Sequence, residues 1–485
     1  MKKSILFLLL MPLILQAQTL KETELDKIVK EAFAQQKVAG ASVLIAQNGK
    51  IILNKGYGFA HLGFGIPATP QTKYFIVGGN TTVLGAAMMQ LVEKGALSPD
   101  DEITKYLPGF NVQGHKITIR HLLTSTSGLP DYHYLGDPLT GQAYQPKAID
   151  EVVDLFENKL FTMKPGTKFD WSISNFALLV SILQKVTNQR YEDYLKTNII
   201  TPLGLQETEY LTQKKLIPHF AQGYQFSDGS FYPATESLLK YDLSTRLVST
   251  TGDMYKLWEG LKQGKVISRK SFMQMTSREE AAKNNSGNFG YMIFIPKLEN
   301  YNAMSFGGNL DGYSSALYVP DKEITIIIFT NSSETNAGFI CRQIARKMLG
   351  LPPPPITEVP KKIITDLPLT KQEQLNMAGT YIVKRTNIDS SSPLTFNMWK
   401  RTIRVFTELE QLMMQRFGEL PEPLLKQADG AFAIRSSPQL IISFKNENNN
   451  AVLSITSPGS YIESGARIGN ADVKTFHGAA FENLK

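Results

Sequence analysis

The stretch LPPPPITEVPKKIITDLP, from Leu351 to Pro368, restricts the folding of this chain more than any other. Each proline lacks a backbone donor and fixes φ, so neither a helix nor a central strand passes through it, and the segment reads as an extended linker. The 485 residues, 42% of them hydrophobic, are enough to bury more than one core. The expected organisation is two folded units, residues 18–350 and 369–485, joined by the linker 351–368.

The second unit holds short apolar or alternating runs, AGTYIV, FAIRS, LIISFKN and AVLSITS, separated by polar turns. That pattern predicts a small, mainly β module. The larger unit mixes β-rich runs with helical patterns. Ala41–Ala46 and Lys50–Leu53 read as the strands of a hairpin, because Asn48-Gly49 between them tolerates the positive φ of a tight turn. A helix is expected from Thr81, where Val83, Leu84, Ala87, Met88, Leu91 and Val92 recur at helical spacing, with Asn80 as N-cap and Gly95 closing the end.

At the N-terminus, Lys2 and Lys3 precede an apolar run from Ile5 to Leu15, and Ala17 offers a small residue for cleavage. This is the pattern of a secretory signal peptide over residues 1–17, and it predicts an exported protein, periplasmic or secreted. The run falls short of the ~20 apolar residues that span a bilayer, so no transmembrane segment is expected in the mature chain. Cys341 is the only cysteine, which excludes an intramolecular disulfide and a cysteine lipid anchor near the signal. Loss of Lys2 and Lys3 brings the formal charge from +7 to +5, and the remaining basic residues form no dense run. Nucleic-acid binding is therefore not expected.

ASVLIAQNGKIILNKGYGFAHL, TKYFIVGG, LVEKGALSPDDEITKYLPGF and ITIRHLLTSTSGLPDY follow one another along the first unit. In order and spacing they resemble the serine β-lactamase-like and penicillin-binding protein superfamily, most closely its class C β-lactamase, D-aminopeptidase and esterase branch. The resemblance continues through KPGTKFDWSISNFALLVSILQKVTNQRYEDYLKTNIITPLGLQET, LSTRLVSTTGDMYKLW and GGNLDGYSSALYVPDKEITIIIFTN, and covers about Leu25 to Asn331. It implies an α/β, β-lactamase/transpeptidase-like fold: an antiparallel sheet flanked by helices, a helical subdomain, and an active site where they meet. The C-terminal β-rich unit resembles the small barrel-like modules appended to some members.

In working members a serine at a helix N-terminus attacks a carbonyl and a lysine one turn later takes its proton. A tyrosine on the helical subdomain assists, and backbone donors hold the oxyanion. Phe75, Gly78 and Leu84-Gly85-Ala86 fix the register here and place Gly79 and Thr82 at the Ser-x-x-Lys positions. Phe176, Leu178 and Leu179 register the second motif onto Trp171-Ser172-Ile173, with Asn175 matching only if the loop shifts by two residues. Gly312-Tyr313-Ser314-Ser315 register the third, a His or Lys followed by x-Gly, onto Phe306-Gly307-Gly308. A further position, often histidine in the family, is Ser125 in STSGL. Glycine has no side chain to attack with, threonine is no base near neutral pH, indole only donates, and isoleucine does neither. By the resemblance the oxyanion donors are the N–H groups of Gly79 and Asn309, which survive side-chain substitution.

The alternative is a hydrolase with a relocated nucleophile. Thr81, Thr82, Ser125, Ser172 and Ser174 fall near the expected site, but none has a Lys or His at a spacing that would hold a base against it. Local capping is the ordinary role of such hydroxyls. Ser237-Leu238-Leu239-Lys240 spells Ser-x-x-Lys outside the matched motif, and a pattern of two fixed positions arises by chance in a chain this long. Among His61, His115, His121, His133, His219 and His477 there is no i, i+4 pair, so no metal centre is expected; His115 and His121 bracket a strand-like ITIR segment. No phosphate loop or dinucleotide fingerprint occurs, and no cofactor is expected.

The sequence thus predicts an exported, catalytically silent relative of these hydrolases that binds a cell-wall-derived, peptide-like or acyl small molecule, or a protein partner. Trp171, Ile173 and Phe306 replace three polar groups that converge in the family. The cleft is expected either to pack shut or to present an apolar pocket.

Overall fold

The computed structural model describes residues 20–132, 148–212, 215–227, 229–234, 243–244, 246–277, 288–310, 313–320, 322–352, 364–387, 400–416, 421–434, 437–447, 450–457 and 461–471. The expected signal peptide, Ser237 to Lys240, His133 and His477 lie outside them.

Helix α1 (Glu22–Ala34) leads into the hairpin of β1 (Gly40–Gln47) and β2 (Lys50–His61). Asn48 and Gly49 take φ of 52° and 74°, as the turn requires. Both strands outrun the expected bounds, because pairing continues through polar and glycine residues that carry no apolar signal. Two short strands, β3 (Ile66–Pro67) and β4 (Tyr74–Phe75), bring the chain to α2 (Val77–Glu93). A helical region follows: α3 (Ile119–Leu123), α4 (Ile149–Asp154), α5 (Ser174–Thr187) and α6 (Tyr191–Leu195). Next come β5 (Glu209–Tyr210), β6 (Tyr224–Ser227), β7 (Ser230–Pro233) and β8 (Leu247–Ser249), then α7 (Thr251–Gln263) and α8 (Arg269–Met275). Strands β9 (Lys297–Leu298), β10 (Tyr301–Leu310), β11 (Tyr313–Pro320) and β12 (Ile324–Thr330) and helix α9 (Ala337–Met348) complete the first unit.

The main sheet is antiparallel in the order β3-β2-β1-β12-β11-β10-β9. Strand β12, ITIIIFT, is buried at every position, which is what a strand covered on both faces demands. Its alternation sorts the two sides. Ile324, Ile326 and Ile328 join Val43 and Ile45 against α1 and α9, whereas Ile327 and Phe329 join Leu44 and Ala46 in the core shared with α2 and α5.

Two local expectations are corrected. Helix α2 starts at Val77 instead of Thr81, so Asn80 is not its N-cap. Its end is as expected: Gly95 has φ 67°, and the Gly95 and Ala96 amides donate to Val92 and Leu91 carbonyls, closing the helix with a left-handed glycine. The strand-like reading of ITIR also fails, because Ile119 opens α3 and Thr118 caps it by accepting from the His121 N–H. The cap outweighs the strand preference of β-branched residues.

In the second unit, α10 (Lys371–Met377) precedes nine strands: β13 (Gly379–Asn387), β14 (Lys400–Glu408), β15 (Gln411–Arg416), β16 (Glu422–Pro423), β17 (Leu425–Lys426), β18 (Phe432–Ile434), β19 (Ser437–Glu447), β20 (Asn450–Ser457) and β21 (Tyr461–Gly469). They pair in the order β16-β15-β14-β13-β21-β20-β19-β18-β17, a near-barrel around Tyr381, Val405, Ile442 and Leu453. At the ends of the proline-rich segment, Arg346 Nε donates to Pro352 O on one side, and on the other the Leu367 N–H donates to Lys426 O. Among the described residues no helix is long and apolar enough to cross a membrane.

Candidate functional site

Pairing of Tyr74 and Phe75 with Ser249 and Val248 fixes where α2 begins, and α2 then meets β10 almost backbone to backbone. A Cβ on Gly78 would lie 2.6 Å from Gly307 O. That approach carries Phe306, 4% exposed, onto Gly79. A Cβ built on Gly79 would stand 3.3 Å from Phe306 Cε2 and 3.3 Å from Ile76 Cδ1. The positions matched to the nucleophile and to the third-motif cation are therefore brought together, with a phenyl ring where the reacting side chains would be.

The expected oxyanion donor at Gly79 is corrected. Because α2 starts at Val77, two residues before Gly79, the Gly79 amide lies inside the first turn and donates to Ile76 O at 2.8 Å. Asn309 stands on β10 opposite Ser314; its side chain lies outside what is described.

The residues after Gly79 are tied inward. Asn80 donates through Nδ2 to Leu243 O (2.8 Å) and Ser244 O (3.0 Å), while its Oδ1 accepts from the hydroxyls of Tyr191 (3.1 Å) and Tyr210 (2.8 Å). Every valence of that amide is used. Thr81 Oγ1 donates to Gly78 O at 2.8 Å, and Thr82 Oγ1 donates to Met292 O at 3.4 Å.

On the opposite wall, Ser125 sits in the left-handed region with φ 53°, a conformation that costs a non-glycine residue about 1–3 kcal/mol. Two bonds hold it there: Asn175 Nδ2 donates to Ser125 Oγ at 3.1 Å, and the Asp170 N–H donates to Ser125 O at 2.9 Å. Asn175, 1% exposed, also donates to Ser172 O (3.0 Å) and accepts from Ser127 Oγ (2.5 Å). It pins the Ser125 loop to the start of α5, which leaves it no free group for a shifted second motif. Ile173 is 7% exposed, and its N–H donates to Asp131 Oδ2 at 3.2 Å. Trp171 does not meet Phe306 in a ring contact among the described residues; it stacks on Phe294 (centroids 5.7 Å, 23°) and meets Phe289 edge-on. Sequence reasoning missed Asn175 as a hub, and it missed Met292, Phe289 and Phe294. The aromatic richness of NFGYMIFIP, residues 288–296, was the one available signal.

Among the described residues, none of the five candidate hydroxyls is bonded to a base. Ser174 Oγ donates to Pro130 O at 2.6 Å, and Ser172 Oγ accepts from the Ser174 N–H at 3.3 Å. None of the five is hydrogen-bonded to a lysine or histidine among the described residues. Lys73, just before α2, is buried: burial favours its neutral form, but Glu209 and Glu207 outweigh burial and hold the ammonium above its ordinary range. Burial pushes the phenols of Tyr191 and Tyr210 upward, so they stay protonated. His121 is held neutral by burial and then by Arg120, and its Nδ1 accepts from the Thr118 N–H. No group of three or more His, Cys, Asp or Glu among the described residues is placed to hold a metal ion.

Three likenesses place this geometry. Protein flp of Staphylococcus aureus (strain N315) is 27% identical over 316 residues, covering 64% of this chain and 63% of that protein. The chain thus matches less than two thirds of the length of that relative. The octameric penicillin-binding protein homologue from Pyrococcus abyssi matches with a TM-score of 0.60 at 21% identity, over 91% of this chain and 99% of the other. The D-amino acid amidase from Ochrobactrum anthropi SV3, complexed with L-phenylalanine amide, matches with a TM-score of 0.58 at 19% identity, over 68% and 97%. At those identities the two solved structures speak for the fold alone. The sequence itself carries the descent: the family model described as beta-lactamase matches residues 25–346, from α1 through α9 and across both walls of the site, and the chain belongs to that family.

Proposed function

We propose that this chain is an exported, non-hydrolytic member of the beta-lactamase family that uses the retained scaffold to bind a cell-wall-derived or peptide-like ligand or a protein partner. The observation that carries the reading is the Phe306 ring packed on Gly79, which leaves no nucleophile and no room for one without movement of the ring. The bonding of the neighbouring hydroxyls supports it, since three of them donate to backbone carbonyls and, among the described residues, none is bonded to a base that would activate it. Export rests on the Lys2-Lys3 and Ile5–Leu15 pattern. The peptide-like ligand class is in keeping with the phenylalanine amide named for the Ochrobactrum anthropi neighbour.

Covalent labelling tests the proposal. The purified protein incubated with a penicillin-type probe and with a fluorophosphonate is expected to keep its unmodified intact mass. A stoichiometric adduct lost on replacing one of Thr81, Thr82, Ser125, Ser172 or Ser174 by alanine would replace this reading with a hydrolase of relocated nucleophile.

A further inference from the structure

A groove of about 240 Å³ opens on the helical region, between the turn at residues 106–110, α4 and α5. It is separate from the site above: Ser181 on its floor lies two helical turns along α5 from Ser174, roughly 10 Å. Leu107, Phe110 and Val153 give it apolar walls. Asp150, Asp154 and Glu157 stand along its α4 side, and none of them has an ion-pair partner among the described residues. Lys185 stands on the α5 side.

The helices explain some of these charges and not others. Lys185 lies in the last turn of α5 and Asp150 in the first turn of α4, each where the helix dipole favours its sign. Asp154 ends α4 and Glu157 follows it, where the dipole disfavours a carboxylate. Ser181 supplies an independent observation. It is 2% exposed, lines the groove, and its hydroxyl has no hydrogen-bond partner among the described residues. Its hydroxyl oxygen is not among the fully enclosed unpaired polar atoms, so it keeps a small opening onto the groove, through which a donor can reach it.

We propose that this groove binds a lysine-type primary amine presented by a peptide. The alkyl stem lies along Leu107, Phe110 and Val153, and the ammonium donates to Ser181 Oγ and is neutralised by Asp154 and Glu157. At 240 Å³ the groove is below the about 300–1,000 Å³ of drug-sized pockets, so it takes one side chain, not a whole peptide.

Titration of the full-length protein with Nα-acetyl-lysine methylamide, followed by NMR or calorimetry, tests this. Saturable binding is expected, with no response to the Nε-acetylated analogue, whose charge is gone. The variant Asp154→Asn/Glu157→Gln changes exposed or half-exposed positions and should stay folded by circular dichroism while binding about fivefold more weakly. Ser181→Ala should also weaken binding without changing the specificity for the charged amine. No saturable response, an equal response to the acetylated analogue, or undiminished binding by the double carboxylate variant would overturn the proposal. A penicillin adduct on a serine or threonine of the other site would leave it standing, so its failure and that of the non-hydrolytic reading are distinguishable.

Discussion

On the proposed non-hydrolytic reading, a serine and a lysine put back at Gly79 and Thr82 do not make a catalytic pair, because the surrounding packing opposes both. A serine at Gly79 needs the Phe306 ring or Ile76 to give way by a few tenths of an ångström, since both stand 3.3 Å from its Cβ. Thr82, 2% exposed, faces the Met292 carbonyl, so a lysine in its place brings an ammonium into a buried position with one neutral acceptor. Burying a charge without a counter-charge costs more than burying a hydroxyl. Lys73 offers no substitute base, because its partners Glu207 and Glu209 keep it protonated. The double variant Gly79→Ser/Thr82→Lys is therefore expected to lose at least about 2 kcal/mol of stability in chemical denaturation. It should also hydrolyse an activated ester no faster than the unaltered protein, because catalytic residues act as a unit. Turnover of order 1 per second would overturn the proposed non-hydrolytic reading of the site.

Helix α2 is held as an element by what crosses it, and most of that comes from far along the chain. Residues 288–296 lie across its first turns: Met292 O accepts from Thr82, and a Cβ on Gly85 would stand 2.7 Å from Tyr291 O. Replacing a mid-helix glycine by alanine ordinarily stabilises by about 0.5–1 kcal/mol. At Gly85 the neighbour is backbone, which cannot step aside as a side chain can, and overpacking costs about 1–3 kcal/mol. The second effect is the larger. Gly85→Ala is expected to be net destabilising in urea titration, and to alter the emission of Trp171, which packs on Phe289 and Phe294 of the displaced segment. A more stable variant with unchanged emission would mean that the crossing segment does not bear on α2.

At the scale of the whole molecule, what could be read in the sequence was whatever a local pattern or a fixed register expresses. The Asn48-Gly49 turn, the glycine end of α2 and the apolar run of β12 are of that kind. Asn175 was not, because its partners Ser125 and Ser127 come from another loop and a buried amide looks in sequence like an exposed one. Strands such as β14, KRTIRVFTE, were missed because charge on one face masks their alternation. The proline-rich segment pointed to something stronger than a boundary. Among the described residues, the core of Tyr381, Val405 and Ile442 shares no member with the cores built on Ile327 and Ile328, and with one cysteine no disulfide couples them. The Ile327 and Ile328 cores also share no side chain, but β12 runs through both and couples them, whereas no described strand or helix contributes both to them and to the Tyr381 core; units so separated are expected to unfold as separate cooperative units. Calorimetry is therefore expected to give two transitions. Ile442→Ala and Ile327→Ala, both at fully buried positions, should each lose about 2–5 kcal/mol and each lower a different transition. The shift per kcal/mol should be the larger for Ile442→Ala, because a module near 100 residues moves by about 4–8 °C per kcal/mol and larger units by less. A single transition lowered by both substitutions would show that the second unit is part of the first unit's cooperative fold, and the proline-rich segment would then be a connection inside one domain.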